Sequence, residues 1–164
     1  MLALSARANA QEIQLDGIIV TFSKVAERAI DALSGSSAVG REQLDEQFQS
    51  DKVSDVLRTI PGVTTQDNGR DTAQAVNIRG LQDFGRVNVL IEGARQNFQR
   101  SGHSANGAFY IDPEMIKSID VTRGPTATIY GSGAIGGIVA FGLLDADDIL
   151  SAGEYAAGQS RYRY

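Results

Sequence analysis

The chain has no cysteine and no tryptophan, a single histidine and three prolines among its 164 residues. Without thiols it forms no disulfide and performs no thiol catalysis, while its compartment stays open, because many exported bacterial proteins carry no cysteine. His103 has no second imidazole with which to build a metal cluster. Basic excess is missing too. A net charge of -5 and a pI near 4.8 argue against nucleic acid as a partner, since phosphate recognition depends on clustered Lys and Arg. No segment approaches the ~20 apolar residues of a membrane-spanning helix, so whatever crosses a membrane is not a helix of this chain. Carboxylates are plentiful, but the run Asp145, Asp147, Asp148 reads as a solvated face or loop, and no enzymatic activity is expected.

Glycine is abundant, at 18 residues, which predicts tight turns and close backbone approaches rather than long helices. The length suits one folded unit with one modest core. Residues 1–10, MLALSARANA, read as the remnant of an export signal, with Ala8 and Ala10 as the small residues ahead of a mature start at Gln11. An N-terminal segment occupies 11–37. From Arg41 the pattern is helical: Leu44 and Phe48 are four apart, and Val53, Val56, Leu57 and Ile60 fall at i, i+3, i+4 and i+7. Ser50 is the cap read for the second helix, which Ile60-Pro61-Gly62 ends.

Beyond Pro61 the spacing becomes strand-like over 63–65, 75–78, 87–91, 116–122 and 137–141, each rich in β-branched residues. Gln96 to Gly107 is the longest loop, and long loops on small scaffolds are where binding sits. The expectation is a small mixed α/β (α+β) domain, 38–150, with a sheet of about four strands and two or three short helices. Residues 151–164 end in alternating Tyr and Arg, the period-two pattern of a barrel strand, and read as the start of a truncated barrel.

Two motifs invite chemistry. Gly131 to Gly136, GSGAIG, matches G-x-G-x-x-G, but dinucleotide binding requires a strand running directly into the turn and a helix leaving it. Here Ile138 to Phe141 looks like a strand, so tight glycine turns are expected instead. His103 lies in a polar loop with Phe98 upstream and Phe109-Tyr110 downstream. It reads either as a surface residue or as an axial ligand for haem iron, with the aromatics covering the porphyrin.

Several segments, in order, resemble the plug domain of TonB-dependent outer-membrane receptors. Asp16-Gly17-Ile18-Ile19-Val20-Thr21 is similar to the TonB box. VSDVLRTIPGV over 53–63, Asn77-Ile78-Arg79-Gly80, and VNVLIEG over 87–93 come next, the last with Glu92 where many members have Asp. The 111–141 stretch, IDPEMIKSIDVTRGPTATIYGSGAIGGIVAF, resembles the family nearly end to end. Residues 96–103, QNFQRSGH, are similar to the haem and haemoglobin receptor branch. The resemblance implies a plug that gates a barrel of about 22 strands, a TonB box that adds as a strand to the TonB energy-coupling protein, and His103 in contact with haem. It implies that haem, free or from a haem protein, is transported cargo rather than a catalytic cofactor, with no other metal bound directly. Arg79 and Arg123 match family arginines that pair with glutamates on the barrel's inner wall. The implied location is the outer membrane, or the periplasm for a plug alone. Two alternatives stand beside this reading: a siderophore or other metal-chelate receptor, and a stand-alone periplasmic binding or signalling domain whose arginines are satisfied internally.

Overall fold

The structure is a computed structural model that describes residues 35–48, 52–68, 71–82, 85–98, 108–125 and 132–158. Five strands pair in the order β1 (Ser36–Gly40), β7 (Ile116–Arg123), β8 (Gly137–Leu143), β5 (Val87–Ile91), β6 (Ala94–Arg95). The β8–β5 pair is parallel and the others are antiparallel. β8 is central and reads GIVAFGL, buried at every residue but the last, as a strand covered on both faces must be. A second, antiparallel sheet joins β2 (Val63–Asn68), β3 (Asp71–Ile78) and β4 (Leu81–Gln82).

All five strands expected from sequence are present, and they divide between two sheets. Three short strands extend the plan. β1 takes in Ser36 and Ser37, which the composition assigns to the N-terminal segment. β4 and β6 are two-residue strands, too short for periodicity to mark.

The helices are short because the apolar runs are short. Arg41–Gln43 forms α1, which continues as a π-helical turn over Leu44–Phe48. α2 spans Val53–Thr59 and buries Val53, Val56 and Leu57, the face that the i, i+3, i+4 spacing predicts. Lys52 stands at its cap position and makes no side-chain capping bond to the helix, so the helix begins where its apolar face begins; Ser50 lies outside the described residues. At its end Val63 N–H donates to Ile60 O at 3.1 Å, with Pro61 and Gly62 (φ 78°) as the central residues of a type II turn. α2, both sheets and Phe109 meet in one core, where the Phe109 and Phe141 rings lie 5.4 Å apart.

The acidic run near the end is structural. Asp145 caps α3 (Ala146–Ile149), accepting from Asp147 N–H at 2.9 Å and Asp148 N–H at 3.2 Å. Asp148 pairs with Lys117 at 2.5 Å. Residues 151–158 contain no strand; the Tyr-Arg alternation at 161–164 lies outside the described residues.

Candidate functional site

Two hairpin turns carry the Arg79-Gly80 and Glu92-Gly93 pairs. Arg79 (φ 52°) and Gly80 (φ 84°) connect β3 to β4, and Glu92 (φ 49°) and Gly93 (φ 76°) connect β5 to β6. Positive φ at both central residues makes each a type I′ turn, which matches the right-handed twist of its strands and favours X-Gly pairs. Left-handed backbone is unfavourable for a long side chain such as Arg, so Arg79 must be held there. Its N–H donates to Gly62 O at 2.8 Å, and Gly80 N–H donates to Asn77 Oδ1 at 2.8 Å. In the other turn, Glu92 Oε1 accepts from Leu143 N–H at 2.5 Å, tying the β5–β6 hairpin to the end of β8.

Arg79 and Arg123 converge on Gly62. A Cβ added at that glycine would lie 3.5 Å from Arg79 Cγ and 3.9 Å from Arg123 Cδ, so the two stems flank one point. Their environments differ. Arg79 is exposed at the turn tip, and no partner for its guanidinium is found among the described residues. Arg123 is half-buried: its Nη1 donates to Ser37 Oγ at 2.9 Å and Pro61 O at 3.2 Å, and its Nη2 to Ser36 O at 3.2 Å. Guanidinium carries five N–H donors, so capacity remains for a carboxylate from outside. The sequence marks both arginines without signalling that they meet; the signal it does carry is the X-Gly turn after β3.

The loop around His103 is described at its base. Ala108 N–H donates to Phe98 O at 3.0 Å, which closes the two legs on each other. Gln74 and Phe109 then exchange two backbone bonds of 3.0 Å, fixing the return leg to β3. Phe98 and Tyr110, 52% and 46% exposed, meet edge to face with centroids 5.9 Å apart. Phe109 is a core residue and cannot cover a porphyrin, which corrects the expectation that groups it with Tyr110. A cleft of about 560 Å³ lies under this leg, lined by Tyr110, Ile111, Ile91, Met115 and Leu143, with the buried Gln74 among them. His103 itself, the 16–21 segment and residues 1–10 lie outside the described residues.

The glycine motif is packing. A Cβ on Gly133 (φ 104°) would collide with Gly85 O, and one on Gly136 would crowd Leu81 Cβ at 3.0 Å and Arg86 O at 3.1 Å. The motif leads into β8, a strand, so no helix N-terminus meets a pyrophosphate there.

This architecture belongs to a family. A family model described as the TonB-dependent Receptor Plug Domain matches residues 28–138, and the chain is a member of that family. A hemin receptor of Yersinia pestis is 43% identical over 100 residues, which is 61% of this chain and 14% of the relative. The heme/hemopexin utilization protein C of Haemophilus influenzae is 36% identical over 147 residues, 90% of this chain and 19% of the relative. A double mutant of the Serratia marcescens hemophore receptor HasR, solved with its hemophore HasA and heme, superposes with a TM-score of 0.65 at 40% identity, covering 73% of this chain and 18% of that one. The ferric citrate transporter FecA superposes with a TM-score of 0.55 at 29% identity, covering 67% and 17%. The chain thus spans less than a fifth of the length of these relatives.

Proposed function

We propose that this chain is the plug of an outer-membrane haem receptor, closing the lumen of a β-barrel and coupling the barrel to TonB through residues 16–21. The cargo reading is carried by the likeness to HasR, a receptor whose structure contains heme. Haem is then a transported ligand, and the domain works by gating and not by catalysis. His103 is its iron-contacting residue, with imidazole nitrogen as the donor. The exposed Phe98–Tyr110 pair at the loop base offers an aromatic surface to a planar ring.

The arginine pair supports the barrel reading. Two guanidinium stems converging at Gly62, one of them at the tip of a turn, form a cationic corner that suits carboxylates on an inner wall. The internal bonds of Arg123 are also what a stand-alone periplasmic domain would need, but Arg79 shows no such arrangement among the described residues.

Titration of the chain with haem, followed through the Soret band, tests the cargo. His103→Ala should weaken binding roughly tenfold or more, on the scale seen when a metal's coordination is disturbed, and should shift the band. An unchanged spectrum and affinity would remove the ligand role and favour a siderophore or other metal chelate as cargo.

A further inference from the structure

β1 is one of the two edge strands of the five-stranded sheet, and Val39 is its one buried residue. From Ser36 to Phe48 just one more residue, Leu44, is buried. Phe48 packs half-buried against the same core, so the arm's apolar hold is the side chains of Val39, Leu44 and Phe48, a thin contact of the kind found in segments that open locally.

Arginines close both ends of its ladder. β1 runs antiparallel to β7, with Ser36 opposite Thr122 and Gly40 opposite Ser118. At the Ser36 end, Arg123 reaches from β7 to Ser37 Oγ, Ser36 O and Pro61 O, while its backbone N–H donates to Gly35 O at 2.6 Å. At the Gly40 end, Arg41 reaches from the arm to the start of β7, donating through Nη1 to Ile116 O at 2.8 Å and Glu114 O at 3.2 Å. Its Nε and Nη2 are fixed by the Asp45 carboxylate at 2.9 and 2.7 Å, a bidentate pair that aims the guanidinium. Charge-assisted bonds at both ends thus supply what the thin apolar contact does not.

We propose that Ser36–Phe48 is a clip that opens and closes on an otherwise intact domain, with Arg123 and Arg41 as its two catches. Opening would withdraw Val39, Leu44 and Phe48 from the core and bare the backbone edge of β7, an unpaired edge open to another strand. Chain leading into Gly35 meets the Arg123 catch first, so the antiparallel ladder parts from the Ser36 rung and reaches Arg41 last. The clip rests on the coupling reading only for what would pull it; as a local opening it stands or falls alone.

Native-state hydrogen exchange of the 164-residue chain in rising urea tests it. In the unaltered chain, amides of Ser36–Gly40 should open at lower urea than those of Ile138–Phe141. Arg123→Gln and Arg41→Gln should each speed β1 exchange about tenfold or more, the loss expected for a hydrogen-bonded charge, and leave β8 unchanged. Opening of β1 and β8 together in the unaltered chain overturns the clip, as does a variant that leaves β1 unchanged or accelerates both strands alike. Should a variant fail to fold, the unaltered chain's own profile decides.

Discussion

The two faces of the five-stranded sheet use the same strands for different ends. On one face Val39, Ile119, Phe141 and Ile91 form a row across four strands, followed by Val121, Val139 and Val89. These belong to the main core, closed over by α2 and the smaller sheet. On the other face the corresponding row is Ala38, Asp120, Ala140 and Leu90, and the next holds Thr122, Ile138 and Asn88. There the apolar cluster shrinks to Leu90, Ala134, Ile138 and Ala140, with Asp120 and Asn88 buried beside it. Apolar packing is concentrated on the first face, while the second buries a carboxyl and an amide beside its small cluster.

The largest effect should come from the first face. Phe141 is fully buried against Phe109, and Phe141→Ala should cost about 3–5 kcal/mol in urea unfolding, since transfer and cavity terms add. Leu90→Ala on the second face should cost about 2 kcal/mol, the low end for its type. Equal losses would erase the distinction between the faces.

Much of this arrangement is legible in the residues. β-branched runs place the five main strands, and the spacing of Val53, Val56, Leu57 and Ile60 places the α2 face. β1 is not legible, because Ser36-Ser37-Ala38-Val39-Gly40 has one large apolar residue and is held by arginines that bond across long stretches of chain. The meeting of Arg79 and Arg123 at Gly62 is equally hidden: it depends on how the α2 turn abuts the β3–β4 hairpin, which no local pattern encodes. Alternation does mark Asp120 as opposite to Ile119 and Val121. It does not show that this second face is also covered.

Asp120 sharpens the comparison through pH. At 5% exposure, with burial as the cause, its carboxyl is pushed up to about 6. The raised value means that the folded chain keeps the proton where the unfolded chain has lost it. Stability from this group is full below about pH 4 and is lost as pH rises through 6. Relative to Asp120→Asn, the unaltered chain should therefore lose about 2 kcal/mol between pH 4 and pH 7. Parallel stability curves for the two proteins would show that the second face is wetter than its packing indicates.

The smallest effect should come from outside both faces. Lys117 is exposed near the start of β7 and pairs with Asp148, whose carboxyl is held below its ordinary value first by the Asp145 backbone N–H and then by Lys117. An exposed ion pair gains little over two solvated charges, because water screens the attraction and both side chains must be ordered. Lys117→Gln should leave the unfolding midpoint where it was, since the Asp145 cap continues to hold α3 without it. A shift comparable to that of Asp120→Asn would mean that α3 locks the end of β7. Stability would then be shared with the rim and would not rest on the sheet's packed faces alone.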